Sequence, residues 1–457
     1  VLAILDELNR KKTSPYLADC GNLTASQSNR MSPQSTSAPV SDAASTPLAV
    51  TNARRWTIVW LLFTASLINY FDRQTLSFAM PLVAKEFDLD PVQQGLVLSA
   101  FFWSYTALQI PVGLCADRFN LRWLYAGAFA LWSLAQGFTG FVGSVGVLIA
   151  CRMLLGIGES IYLVGGTKVV SLLFPLSQRG LPCGIFDAGT RTGLVLEGLI
   201  IGWLLTTLGW RTTFMIVGFA ALIWLLPWFL ATPKQMRDTS PGLERPRFVW
   251  SEFVTLLRSR DLLGVLLGFF CFDYYWYFLI TWLPSYLVNQ RGMTLLKAGI
   301  SASLPFFVFG ICLPLGGWIA DRLIRRGWDP ARARKGIITV AFLSGLFIIP
   351  AAYVTNANTA LLLIMGGCLV GLSGPNQLVL LQSCTPPKEI GLAVGVYNTV
   401  GNIAGILAPI ITGLVIKLSG GSYTSAFVLA AVMLAASTLC YWFIVGPLRE
   451  PREPITS

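Results

Sequence analysis

Nine ionisable residues interrupt stretches that are otherwise apolar: Asp72 and Arg73, then Arg152, Glu159 and Lys168, then Asp187, Arg191 and Glu197, and far downstream Asp273. Such groups are costly in hydrocarbon and persist where ions or charged solutes are handled, so each is a functional candidate by default. Arg152 and Glu159 are seven residues apart, two turns along one helix face with about 10 Å of rise. They share an environment without pairing directly at rest. Burial favours the neutral form of a carboxyl and a guanidinium within reach favours the ionised form, so proton uptake can be coupled to the distance of Arg152. A fixed ion pair holding helices together is the alternative. Asp72 and Arg73 are adjacent, so their side chains point about 100° apart and one can serve a proton relay while the other meets a solute. An arginine in a dry cavity suits a carboxylate, because its planar fork makes bidentate charge-assisted bonds. Tyr70 or Tyr105 can add a hydroxyl donor. Lys168 faces elsewhere and is expected to snorkel to an interface. The deep polar groups downstream are mostly uncharged: Asn376, Gln377, Gln382, Asn398 and Asn402. Charge handling is therefore expected in the first half of the chain and neutral hydrogen bonding in the second.

The elements that carry these residues follow from composition. Of 457 residues, 54% are apolar and 12% charged, where soluble domains carry roughly 25% charged residues. A mean hydropathy of +0.64 makes lipid the main solvent and a polytopic membrane protein the expected class. The 28 Phe, 15 Trp and 13 Tyr exclude disordered, collagen-like and small disulfide-scaffold classes. Nine cysteines include no CxxC pair and fall mostly in apolar runs, where they read as small core fillers. Histidine is absent, which removes imidazole metal centres, haem ligation through imidazole and Ser/His/Asp catalysis, and leaves buried carboxyls to carry any proton chemistry near neutral pH. The reading is a non-enzyme with no cofactor and no metal.

Apolar stretches near the ~20 residues needed to cross a bilayer recur at 56–80, 92–114, 123–142, 146–169, 180–206, 212–230, 262–288, 297–319, 336–354, 359–382, 390–416 and 424–445. The expected fold is an all-α polytopic membrane protein of twelve transmembrane helices. Its domains are a disordered segment 1–53, a six-helix bundle 54–230, a central loop 231–261, a second six-helix bundle 262–447 and a tail 448–457. Residues 1–50 are rich in Ser, Thr, Ala and Pro and lack a signal-peptide core; with Val1 an unusual initiator, Met31 is a possible start of translation. Alternate breaks between spans hold twenty basic residues against five, namely Lys85, Arg211, Arg291, Lys297 and Lys417. The positive-inside bias then places both termini and the central loop in the cytoplasm. The net charge of +11 is thus topological and calls for no nucleic-acid partner.

Two breaks repeat one another. Gly113-Leu-Cys-Ala-Asp117-Arg118 closes the second span and Gly317-Trp-Ile-Ala-Asp321-Arg322 closes the eighth. A GxxxDR element at equivalent positions of two six-span halves is the internal duplication of transporters whose halves rock around a midplane site. Here the chain resembles the major facilitator superfamily, from residue 55 to 447. Asn69-Tyr-Phe-Asp72-Arg73, Arg152-Met-Leu-Leu-Gly-Ile-Gly-Glu159, Tyr274-Tyr-Trp-Tyr-Phe-Leu-Ile-Thr-Trp-Leu-Pro284-Ser-Tyr286 and Gly401-Asn402-Ile-Ala-Gly-Ile-Leu-Ala-Pro409 are together similar to its anion:cation symporter branch. That branch includes bacterial galactonate, glucarate and hexuronate transporters, sialin and the vesicular glutamate transporters.

The resemblance implies two pseudo-symmetric six-helix bundles and proton-coupled symport of a small organic anion, a sugar acid above all, across the bacterial inner membrane by alternating access. It matches Asp72 and Glu159 to proton-responsive carboxylates, Arg152 to a partner of Glu159 and Arg73 to a substrate-carboxylate contact. It matches Tyr70 and Tyr105 to substrate-lining tyrosines, and Asn398 or Asn402 to polyol contacts. Thr190, Arg191, Tyr274, Tyr275 and Asn376 complete the candidate substrate set. Gly113, Asp117, Arg118, Gly317, Asp321 and Arg322 form the candidate gating set. The expected partners are a small organic anion, protons and the lipid bilayer around a monomer. The chain departs from the branch in span five, Phe186-Asp187-Ala-Gly-Thr190-Arg191-Thr-Gly193-Leu-Val-Leu-Glu197, and at Asp273, where neutral residues are more usual. Asp187 and Arg191 stand four apart, so they either neutralise each other or Arg191 contacts substrate. Proton-driven drug efflux is the competing transporter reading, but span five lacks the Gly-Pro kink of such antiporters. A membrane sensor would need an output domain that no loop here is long enough to form.

Overall fold

A computed structural model describes residues 50–175, 178–237, 258–385 and 390–446. The expectations for the N-terminal segment, most of the central loop and the C-terminal tail lie outside the described residues. Spans one to three are α1 (Asn52–Glu86), α2 (Pro91–Arg118) and α3 (Leu121–Thr139). Span four is the broken pair α4 (Val145–Glu159) and α5 (Ile161–Leu173). Spans five and six share α6 (Gly180–Ala221), which bends at Gly209 and runs on towards α7 (Leu225–Ala231). Gly209 has φ 75° and ψ 169°, a conformation open to glycine and strained for other residues. The second half comprises α8 (Arg260–Asn289), α9 (Leu295–Arg325), α10 (Pro330–Gly345), α11 (Ile348–Tyr353), α12 (Ala357–Gly367), α13 (Gly374–Ser383), α14 (Ile390–Leu418) and α15 (Thr424–Leu439).

Among the described residues, eight helical stretches are long and apolar enough to cross a membrane, and the Gly209 bend makes two spans of one of them. With α1, α2 and α3, twelve spans result. Helix starts are written locally: Asp90 caps α2 in a reciprocal box with Gln93 ahead of Pro91, and Ser144, Ser259, Thr294 and Asp329 accept from N-terminal amides of α4, α8, α9 and α10. Helix ends on the face where α1 begins and α15 ends are held by buried or half-buried cations. Arg122 donates to the Thr232 and Phe229 carbonyls at 2.8 and 2.9 Å, and Lys335 to Val445 and Gly446 at 2.7 and 3.0 Å. Several of the basic residues in the breaks between spans therefore satisfy the last carbonyls of a neighbouring span. Large apolar side chains such as Ile223, Leu226, Leu230 and Phe443 point outward, as a lipid-facing surface requires.

The two halves meet along α1 with α8, α2 with α14, and α6 with α9. One apolar core belongs to the first half alone and includes Phe129, Trp224 and Trp228. The other runs across both halves, joining Leu76, Val97 and Leu205 to Leu279, Trp282 and Phe306. Its first-half members, from Leu76 and Val97 to Leu205, lie towards the face where α1 ends and α2 begins. There the backbones touch: a Cβ on Gly95 would meet the Pro409 carbonyl, one on Gly413 the Pro91 carbonyl, and one on Gly198 the Gly299 carbonyl. Lys417 Nζ bonds Asp90 Oδ2 across the seam at 2.8 Å. Near the face where α1 begins and α15 ends, Gly184 and Gly395 have open space around them. The two halves are sealed together at the opposite face.

Candidate functional site

Half-way down α1, Arg73 is nine-tenths buried and bonds the fully buried Glu159 at the end of α4, with Nη2 3.1 Å and Nε 3.3 Å from Oε2. Both bonds fall on one oxygen, and Glu159 Oε1 has no hydrogen-bond partner. Asn69 Oδ1 accepts from Arg73 at 3.4 Å. The guanidinium is caged by rings, 4.6 Å from Phe101, 4.9 Å from Tyr105 and 5.2 Å from Tyr70, which holds it by cation–π attraction while leaving its outer N–H groups for another acceptor. Tyr70 and Tyr105 both stand beside Arg73.

Arg152 does not bond Glu159 in this state. It donates to Gln136 Oε1 at 2.6 Å and Thr139 Oγ1 at 3.2 Å, reaches the Asp72 carbonyl at 3.5 Å and lies over the Phe214 ring at 5.3 Å. The ion pair belongs to Arg73 because Glu159 stands at the break between α4 and α5, and α5 packs against α1, whereas Arg152 sits two turns back towards α3. Gln136 ties the layer together by also donating to the Asp72 carbonyl at 3.2 Å. Asp72 itself is fully buried, neither of its carboxyl oxygens has a partner, and it feels the fields of Glu159 and Arg152. A narrow cavity with room for about one water joins Arg73 to Arg152 and is walled by Phe101, Phe102, Ser77 and Thr281.

Across the seam the structure rearranges the candidate list. Tyr274 and Tyr275 do not face this cluster. The Tyr275 hydroxyl donates to the Gly367 carbonyl at 3.1 Å and the Tyr274 hydroxyl shares a 3.2 Å bond with Thr412. Both are anchors of the second half. The tyrosine that does reach the cluster is Tyr277, which packs edge-on to Phe102 at 4.8 Å and lies in the electrostatic neighbourhood of Arg73. Asn376 is also an anchor: fully buried, it donates to Gly316 and Leu372 carbonyls and accepts from Arg334. Asn402 donates to the Asn398 carbonyl at 2.8 Å, and both stay on α14 beside the seam. Thr190 donates to the Asp187 carbonyl of its own helix. Arg191 forms no pair with the exposed Asp187. It reaches the Phe309 ring of the other half at 5.8 Å, near Asp273. Glu197 and Gln136 had no assigned role in the sequence, the first as an unexplained charge and the second as a neutral residue in an apolar run.

In the gating set, Asp321 is exposed and bonds Arg334 at 3.3 Å within its own half, and Arg322 lies over Trp318. Gly113 and Gly317 have only distant neighbours, Val164 and Pro375. The Asp117 side chain lies outside the described residues.

The chain matches the family described as Major Facilitator Superfamily over residues 62–409 and 333–457. The chain belongs to the Major Facilitator Superfamily. It is a multi-pass membrane transporter and not an enzyme. Among its relatives, the "Probable galactarate/D-glucarate transporter GudP" of Escherichia coli is 34% identical over 444 residues, covering 90% of this chain and 97% of the relative. The protein of the same name from Bacillus subtilis is 33% identical over 439 residues, 89% and 95% of the two chains. A "D-galactonate transporter" of Escherichia coli is 30% identical over 420 residues, 87% and 97%. Two solved structures share the fold: a bacterial homologue of the lysosomal transporter Spinster, with TM-score 0.74 at 19% identity over 87% of this chain and 98% of that one, and a D-xylose-proton symporter, with TM-score 0.69 at 15% identity over 86% and 98%.

Proposed function

We propose that this facilitator carries a sugar-acid anion, an aldarate, aldonate or hexuronate, together with protons. The observation that carries the reading is the Arg73–Glu159 pair inside its ring of Phe101, Tyr105 and Tyr70. A substrate carboxylate and Glu159 compete for the same guanidinium. A proton arriving on the free Glu159 Oε1 neutralises that carboxyl and leaves Arg73 without a counter-ion, and the substrate carboxylate supplies one. Proton and anion then bind together, each lowering the cost of the other. Asp72, unpartnered beside Arg152, is the second proton group, and Arg152 acts on Asp72 and Glu159 through its field rather than by a bond. Asn398 and Asn402 on α14, with Tyr277, are the neutral groups placed to meet sugar hydroxyls. The names of the relatives support the substrate class.

The face carrying both chain ends is read as cytoplasmic from the twenty-to-five distribution of basic residues, which makes the present state inward-facing. On this reading the bundles are 54–230 and 262–447, the loop 231–261 is cytoplasmic, and the protein works as a monomer in a bacterial inner membrane. Uptake of labelled D-glucarate and galactonate into proteoliposomes at varied external pH tests the transport reading; accumulation that ignores an imposed proton gradient contradicts it. External labelling of a cysteine placed at Arg245 in intact cells would contradict the topology.

A further inference from the structure

Glu197 on α6 stands apart from the ion pair of the site. It is fully buried, and neither carboxyl oxygen meets a hydrogen-bond donor. The charged group acting on it is Asp72 of α1, itself fully buried with both oxygens unpartnered. No charged group of α3 or α9 acts on it among the described residues, and Arg191 on the same helix is turned to the Phe309 ring. Charge balance sharpens the point. The buried interior of the first half holds two guanidiniums, Arg73 and Arg152, against three carboxyls, Asp72, Glu159 and Glu197. Arg73 is committed to Glu159, and Arg152 is held by Gln136 and Thr139 within reach of the field of Asp72. No cation is left for the third carboxyl, and a carboxylate buried without one is strongly disfavoured against its protonated form.

Position adds a second argument. The next residue, Gly198, abuts the Gly299 carbonyl and the Ser303 hydroxyl of α9, where the two halves approach too closely for any side chain. This crossing lies on the sealed side. A rocking motion that opens the sealed face separates α6 from α9 at this level and admits water beside Glu197, while the present state keeps it dry.

We propose that Glu197 is a third proton-binding group of this transporter, holding its proton while the seam keeps it dry and releasing it to the water that an opened seam admits. In the release the Glu197 O–H bond breaks, that water takes the proton as hydronium, and a carboxylate is left at the opened seam, with no further reactant. The inference rests on the symport reading and adds one proton per cycle to it.

The test uses the full chain in proteoliposomes at zero membrane potential, with labelled D-glucarate or galactonate, whichever exchanges, and compares wild type, Glu197→Gln and Glu197→Asp. Counterflow, which needs no net proton movement, first checks that each variant is folded and binds. The proposal predicts that Glu197→Gln keeps counterflow but accumulates about tenfold less substrate than wild type per pH unit of gradient, because one proton fewer is linked to each turnover. It predicts that Glu197→Asp keeps the wild-type dependence. A purely structural Glu197 ranks them in reverse, since Gln fills the same volume and Asp leaves a void. A wild-type slope in Glu197→Gln overturns the proposal alone, as does an Asp variant that exchanges normally but has lost a proton. A wild type that accumulates nothing with the gradient overturns the symport reading, and this inference with it.

Discussion

The interiors of the two halves solve the problem of buried polarity in opposite ways. In the second half almost every deep polar group is neutral and satisfied: Tyr441 donates to Gln377, Gln377 to Ser373, Ser437 to the Gly268 carbonyl and Tyr286 to the Ala351 carbonyl. In the first half charged groups stand among the neutral ones, and Asp72, Glu197 and one oxygen of Glu159 have no donor. A satisfied neutral network rigidifies, whereas unpartnered carboxyls keep the ability to take up and release protons. The second half thus offers a fixed wall against which a charge-switching first half works. Asp273, facing Arg191, and the buried Lys335 are its charged exceptions, and Trp282 Nε1 and Ser285 Oγ its unpartnered ones.

The largest effect that tests this contrast is expected at Arg73. Arg73→Lys keeps the charge but loses the fork, so substrate affinity should fall by roughly 1.5–3 kcal/mol, the worth of a hydrogen bond to a charged group. Binding by thermal shift or calorimetry reads this directly. Wild-type affinity in that variant would move the anion site to Arg191 and undo the division of labour.

Next comes the seam. Gly198→Val puts a branched side chain against the Gly299 carbonyl, so the sealed face should be held open and uptake reduced about tenfold or more by a shifted equilibrium between states. Cysteine accessibility near Gly198 should rise, and unchanged accessibility with full uptake would show that the crossing does not gate.

In the wall, Tyr441→Phe removes one bond to Gln377 and should lower stability by about 1–2 kcal/mol with substrate affinity unchanged. A large loss of affinity in a folded protein would mean that the second half does more than support.

The smallest effect is expected at the latch. The hydrogen bonds from Lys417 and from the Gln93 amide hold the Asp90 carboxyl below its ordinary value of 3.8. A group lowered on folding stabilises above its ordinary value and loses that contribution only as pH falls further, so the latch is intact from pH 5 to 8. Asp90→Asn should change uptake at most a few-fold, consistent with an exposed pair worth ~0–1 kcal/mol, and leave its pH profile untouched. A flattened profile would transfer the pH sensing from the buried carboxyls to the surface.

The twelve spans were legible because apolar runs and basic breaks alternate, and the Gly209 bend falls in the short break expected between spans five and six. Asp72, Arg73, Arg152 and Glu159 were legible because charge is conspicuous in an apolar run. Their pairing was not. Spacing along α4 relates Arg152 to Glu159, but the bond to Arg73 depends on where α4 breaks and on how α5 packs against α1, which no single-helix pattern contains. Likewise the aromatic run of α8 offers five consecutive rings, Tyr274 to Phe278, and only the helix phase at the seam distinguishes Tyr277 from the anchors Tyr274 and Tyr275. Gln136 carried no signal, being a neutral residue among apolar neighbours.

The central claim is that Glu159 and the substrate carboxylate share Arg73. The most direct test is the affinity of purified protein for its sugar acid measured against pH, in wild type and in Glu159→Gln. The account predicts that wild-type affinity rises as pH falls, because the substrate-bound state holds more protons. It predicts that Glu159→Gln, which frees Arg73 at every pH, binds at least as tightly as wild type does in acid and with a shallower dependence. Weaker binding in folded Glu159→Gln, or a pH dependence identical to that of wild type, would contradict it.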